Sequence, residues 1–164
     1  MSVLTKYLCR MALPDQDEGL LARLKIACWR EAYPGMLPKA LLDGLDVSRS
    51  TSEWARGLNN GIAWIAEQSG EAAGFGHIRN DEVTTLYVRK ADQCRGVGGA
   101  LLGHCFDEIS CMGHRSAHLW VLEKNTVARR FYEYMGGNFN GRRSVGFARW
   151  PHIKEVRYDF RLDA

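Results

Sequence analysis

No stretch of the chain approaches the ~20 consecutive apolar residues of a membrane-spanning helix, and Met1 to Pro14 lacks the long apolar centre of a secretory signal. Paired cysteine motifs are missing too. The five cysteines, Cys9, Cys28, Cys94, Cys105 and Cys111, form no Cys-x-x-Cys and leave one over in any disulfide scheme. That usage points to a reducing, cytoplasmic setting. No metal site is expected: His114 and His118 are four apart, but at a predicted strand i and i+4 do not converge on one ion as they do on a helix. Charge of one sign is not in large excess, and a net +3 is too mild to argue for nucleic acid. The surplus gathers from Lys124 onward, where nine Lys or Arg face four Asp or Glu. A solvated face explains it first, and phosphate contacts by Arg129 or Arg130 second. There is no internal repeat, low-complexity tract or linker. With 164 residues, 46% of them hydrophobic, residues 1–164 suit one domain, a size that buries roughly 70% of its unfolded surface.

The element order reads β-α-α-β-β-β-α-β-α-β-β. Ser2 to Arg10 is a plausible first strand, and Asp15 to Glu18 supplies acidic first-turn residues for a helix running to about Tyr33, with Leu20, Leu21, Leu24, Ala27 and Cys28 as its apolar stripe. Pro34-Gly35 and Pro38 break the chain before short helical pieces at Ala40 to Leu45 and Ser50 to Leu58. Strands follow at Ile62 to Glu67, Ala72 to Arg79 and Val83 to Arg89, joined at Ser69-Gly70 and Asn80-Asp81. Beyond them come a helix from Val97 to about Cys111, a strand Ser116 to Leu122, a helix capped by Asn125, and two closing strands near Phe139 to Phe147 and Val156 to Leu162. The mixed order implies an α/β fold whose sheet is antiparallel in its hairpins and parallel where a helix crosses over.

Between Glu82 and Leu102 an extended, β-rich run passes through Gln93-Cys94-Arg95-Gly96-Val97-Gly98-Gly99 into a helix start. Backbone N–H groups converge there at the positive end of a helix dipole, which suits a phosphate. A dinucleotide fingerprint fails, because Leu101 occupies the third glycine position counted from Gly96. A P-loop fails because no Gly-Lys-Ser/Thr closes the turn. Downstream, Asn125, Ala128, Phe131 and Tyr132 fall in the order Asn-x-x-Ala-x-x-Phe-Tyr on one predicted helix.

Gln93-x-x-Gly96-x-Gly98 after a strand resembles the acetyl-coenzyme A loop of the GCN5-related N-acetyltransferases, and Asn125 to Tyr132 resembles that family's second motif. The family pattern ends Gly-Phe, whereas Gly137-Asn138-Phe139 intervenes here. The resemblance implies a single-domain mixed sheet of about seven strands with flanking helices, in which two central strands splay into a V-shaped cleft for the pantetheine arm. It also implies that Leu86, Tyr87 and Val88 form the ligand-binding strand, with the main chain of Leu86 and Val88 reading the pantetheine. Cys94, Arg95, Gly96, Val97, Gly98 and Gly99 would hold the pyrophosphate, Gln93 would order the loop entrance, and Asn125, Ala128, Arg129 and Phe131 would complete the coenzyme site. The cosubstrate would be acetyl-coenzyme A, with no metal, and a homodimer is a mild expectation.

An amine acceptor with a pKa near ~10 must lose a proton before it attacks a thioester. Glu82 stands at the start of the ligand-binding strand, where some family members carry a base, and period-two alternation puts it on one face with Thr84, Leu86 and Val88. A solvated carboxylate beside the Asn80-Asp81 turn is the alternative. Tyr132 matches the family's general acid, which protonates the departing thiolate; a core tyrosine is the alternative. Cys94 is not expected to act as a nucleophile, because no histidine stands beside it and the resemblance implies direct attack. Trp29 and Tyr33 share a helical face and could line the acceptor pocket or pack into the core. The expected activity is acetyl transfer to an amine, small molecule or protein. Another acyl donor or a non-catalytic acyl-coenzyme A sensor are the alternatives.

Overall fold

The computed structural model describes residues 6–163; the part of the expected first strand at residues 2–5 lies outside them. The elements are β1 (Leu8–Met11), α1 (Glu18–Ala32), α2 (Lys39–Asp43), α3 (Val47–Asn59), β2 (Ile62–Gln68), β3 (Glu71–Arg79), β4 (Glu82–Val88), α4 (Val97–Cys111), β5 (Ser116–Leu122), α5 (Thr126–Tyr134), β6 (Asn138–Ser144) and β7 (Lys154–Arg161). One seven-stranded sheet runs in the order β1-β2-β3-β4-β5-β7-β6. All its pairings are antiparallel except β4 with β5.

Alternation along the strands sends apolar side chains to both faces. On one face Phe75 and Ile65 meet Leu21, Leu24, Trp54 and Leu58 of α1 and α3. On the other, Ile78, Val83, Leu119 and Val156 meet Leu102, Cys105 and Ile109 of α4, together with Tyr132 of α5. The α4 helix lies so close to β3 that a Cβ on Gly76 would sit 2.8 Å from the Cys105 sulfur. Only glycine fits that approach. A smaller cluster gathers Leu37, Leu42 and Ile153 with Trp29, Tyr33, Phe147 and Trp150, covering the α1 face beside β5.

The parallel pair is the irregular part of the sheet. β4 and β5 share a single register position, Glu82 opposite His118, where the His118 N–H donates to the Asp81 carbonyl at 2.9 Å. Beyond it they separate, giving the V-shaped opening. A bulge in β4 lies between its pairings Thr85 with His77 and Val83 with Ile78. Buried His77 pins it: Nε2–H donates to the Gly57 carbonyl at 3.0 Å, which leaves Nδ1 to accept from the Thr84 hydroxyl at 2.5 Å. Burial pulls the His77 pKa down and favours this neutral ring.

Asp17 does not cap α1 with its side chain. Its carboxylate instead accepts from both Arg10 terminal nitrogens at 2.8 and 2.9 Å and from the Leu13 N–H at 2.7 Å, tying α1 to β1. The Arg10 guanidinium holds the Asp17 carboxyl below its ordinary range. A depressed folded-state pKa adds stability above the unfolded value of about 3.9, and that contribution is lost as pH falls through the folded value. Asp17→Asn should therefore cost about 1–3 kcal/mol at neutral pH. Urea unfolding should show the gap to the parent protein closing below pH 4.

Candidate active site

The opening between β4 and β5 holds a cavity of about 550 Å³ with walls drawn from both faces of the sheet. On the α4 face stand Val88, Gln93, Cys94, Gly96, Gly98, Gly99, Asn125, Ala128, Phe131 and Tyr132. On the α1 face stand Trp29, Tyr33, Met36, Leu37, Tyr87, Trp120, Leu122, Phe147 and Glu155. Leu86 lines the cavity on β4.

Backbone geometry at the β4 edge follows from one bond. The Arg89 N–H donates to the Ala73 carbonyl at 2.8 Å. By antiparallel alternation Tyr87 also directs its main-chain groups at β3, while Leu86 and Val88 direct theirs into the gap. The Gln93 side-chain amide donates to the Val88 carbonyl at 3.1 Å, fastening the loop to the strand end. Past it the chain takes left-handed conformations at Cys94 (φ 59°) and Gly96 (φ 83°), the latter just before α4. No side chain caps α4, so the N–H groups of its first turn remain for a ligand. A Cβ on Gly98 would lie 3.3 Å from the Phe131 ring, so the helix start packs directly on α5. Asn125 caps α5, its Oδ1 accepting from the Ala128 N–H at 3.2 Å.

Three phenols meet in the cleft. Burial raises Tyr33 well above its ordinary value, with Tyr87 and Tyr132 adding to the shift. Burial likewise pushes Tyr87 up to about 12, partly offset by hydrogen bonding from Trp29 and Tyr33 nearby. Tyr132 is raised by burial first, then by Tyr87 and Cys105. All three hold their protons at neutral pH. Trp29 packs edge-on against Tyr33 and Tyr87 at 5.3 and 6.5 Å between ring centroids. Its buried indole N–H lies toward the Tyr87 hydroxyl without forming a well-aligned hydrogen bond. Cys28 also reaches the cavity, but burial raises its thiol to about 12, which leaves it a poor nucleophile.

Four residues expected at the site stand elsewhere. The β4 bulge breaks the alternation that would have put Glu82 on the face of Leu86 and Val88; Glu82 lies outside the cavity walls, 3.9 Å from the Arg79 guanidinium. Arg129 turns to β7, donating to the Tyr158 hydroxyl and the Glu123 carbonyl at 3.1 Å each. Arg95 is exposed and forms no part of the walls. The Val97 side chain is buried against Leu101, leaving only its main chain toward the loop.

Sequence reasoning missed Glu155 and Trp120. Alternation in β7 marks Glu155 as lying opposite Val156, Tyr158 and Phe160. Its nearness to the cleft depends on β7 lying between β5 and β6, which chain order does not reveal. Glu155 accepts from Arg143 Nε at 2.6 Å, and the Arg143 guanidinium lies over the Trp120 ring at 3.7 Å.

A mixed sheet split between two central strands, with an uncapped glycine-rich helix start at the mouth of the split, defines the acetyltransferase type of α/β fold. The acetyltransferase (GNAT) domain family matches residues 59–136. The Mycobacterium tuberculosis protein named "Probable N-acetyltransferase Rv2775" is 33% identical, the match covering 77% of each chain. Among solved structures, a GCN5-related N-acetyltransferase from Rhodopseudomonas palustris superposes with a TM-score of 0.83 at 19% identity over 99% of both chains. The PaiA N-acetyltransferase from Thermoplasma acidophilum, in complex with coenzyme A, gives 0.75 at 17% identity over 95% of this chain and 99% of its own. The chain belongs to the GCN5-related N-acetyltransferase family, a class of acyl-transferring enzymes.

Among the described residues the Tyr132 hydroxyl makes no hydrogen bond, so folding does not rest on it. Tyr132→Phe should keep the unfolding free energy from urea titration within about 0.5 kcal/mol of the parent protein's, since no buried partner is orphaned.

Proposed function

We propose that the protein is an acetyl-coenzyme A dependent N-acetyltransferase that passes the acetyl group directly to an amine through a tetrahedral intermediate. The observation that carries this reading is the β4 edge: the main-chain groups of Leu86 and the N–H of Val88 face, without partners among the described residues, a cleft that leads to the free first turn of α4, while the Val88 carbonyl is held by Gln93. Such an edge accepts an amide-bearing chain as an added strand, and pantetheine carries two amides. The α4 N–H groups, shaped by Gly96 and Gly98, hold the pyrophosphate at the dipole's positive end. The five free cysteines fit a reducing cytoplasm.

The amine sheds its ammonium proton to solvent. Attack by the neutral nitrogen forms the new N–C bond, and collapse of the intermediate breaks the C–S bond. Tyr132 then protonates the departing thiolate; burial raises its pKa, which keeps the phenol protonated at neutral pH and makes it a weaker acid than an exposed tyrosine. The second proton lost from nitrogen passes to solvent, from which Tyr132 is reprotonated. Glu82 is not given the role of base, since its side chain lies outside the walls.

A thiol-release assay with acetyl-coenzyme A across a panel of amines tests the activity. Coenzyme A binding without release in any mixture would make the protein a sensor. Within an active pair, Tyr132→Phe should lower kcat roughly 10- to 1,000-fold, the reach of general acid catalysis. Titration calorimetry should show coenzyme A affinity within about twofold of the parent protein's. An unchanged kcat would remove Tyr132 from the chemistry.

A further inference from the structure

The half of the cleft on the α1 face has a composition of its own. Trp29, Tyr33, Trp120 and Phe147 wall it with rings, and β5 alternation explains why Trp120 is there: Ala117, Leu119 and Val121 are buried on the opposite face. Two carboxylates reach the cavity. Glu31 is engaged, accepting from Arg89 Nε at 2.7 Å and from the Lys90 N–H at 2.7 Å. Glu155 is engaged through one oxygen only. Its Oε1 takes the Arg143 bond at 2.6 Å, and among the described residues its Oε2 accepts none. The carboxylate is held in place, its side chain 15% exposed. Glu155 thus lines this ringed chamber with one carboxylate oxygen that has no hydrogen-bond partner among the described residues.

Resting on the acetyltransferase reading, we propose that the acceptor is a monocationic amine with an apolar or aromatic body, its ammonium received by Glu155 and its body by Trp29, Tyr33, Trp120 and Phe147. A cation entering an apolar chamber needs a charge partner there, and one free carboxylate oxygen supplies one. A polyamine or aminoglycoside would bring several charges to a wall with a single free partner, leaving the others desolvated and unpaired. A peptide would bring backbone amides that rings do not satisfy. The Arg143 guanidinium, held over Trp120, occupies the other Glu155 oxygen and so competes with an incoming cation for the carboxylate.

Equilibrium binding separates this proposal from the question of turnover. Calorimetric titration of the coenzyme A-saturated protein with phenethylamine, spermidine, kanamycin and a tripeptide should rank phenethylamine tightest. Glu155→Gln should weaken phenethylamine by about 10-fold or more while leaving coenzyme A affinity unchanged, as expected when a charge-assisted contact is lost. Arg143→Gln should leave phenethylamine binding intact or tighten it, because Glu155 then loses a competing partner. Tighter binding of spermidine, kanamycin or the peptide would overturn the proposal. So would unaltered phenethylamine binding by Glu155→Gln, or an equal loss in Arg143→Gln, which would make the ion pair structural. Phenethylamine bound through Glu155 without thiol release would instead sink the transferase reading and leave the site standing.

Discussion

The structure turns on where two neighbouring strands stop pairing. β4 and β5 meet once, at Glu82 and His118, and then separate. A sheet interior does not ordinarily leave main-chain groups without partners, because each such group costs about 1–3 kcal/mol when water is excluded. The split is tolerated because each strand is held from its outer side: β4 by β3, with the bulge fixed by His77 and Thr84, and β5 by seven register positions with β7. Two half-sheets with their own partners can stand apart, so the gap exists before a ligand arrives.

Around that gap the two faces divide the chemistry. The α4 face offers backbone N–H groups and glycines, suited to phosphate and amide. The α1 face offers rings and one half-engaged carboxylate. The phenols occupy the middle, and the same exclusion of water that raises their pKa values preserves their protons. A polar but un-ionised centre between an uncapped helix start and a ringed chamber suits the proposed chemistry, in which a thiolate would be neutralised without a permanent charge nearby.

Much of the fold was legible because its signals are local. The alternations of β2 to β4 sit between turn residues, and α4 and β5 begin and end where the glycines and the apolar pattern put them. The glycine turn before α4 was legible for the same reason, since Gln93, Gly96 and Gly98 shape it through neighbours in the chain. Failures came wherever a non-local pairing decided the outcome. One extra residue in β4 reversed the face of Glu82, a slip invisible to strict period-two counting. Arg129 was bound by Tyr158, which arrives 29 residues later. Glu155 reached the cleft only because β7 inserts beside β5 ahead of β6.

The cavity draws its walls from both faces of the sheet, and the proposed transfer would inherit that division: a donor held on the α4 face and an acceptor on the α1 face would each keep its own way out, with no steric gate imposing an order of binding. A single molecule that occupied both halves would enter at the open end of the V, where β4 and β5 have parted, and its narrowest part would lie between the strands.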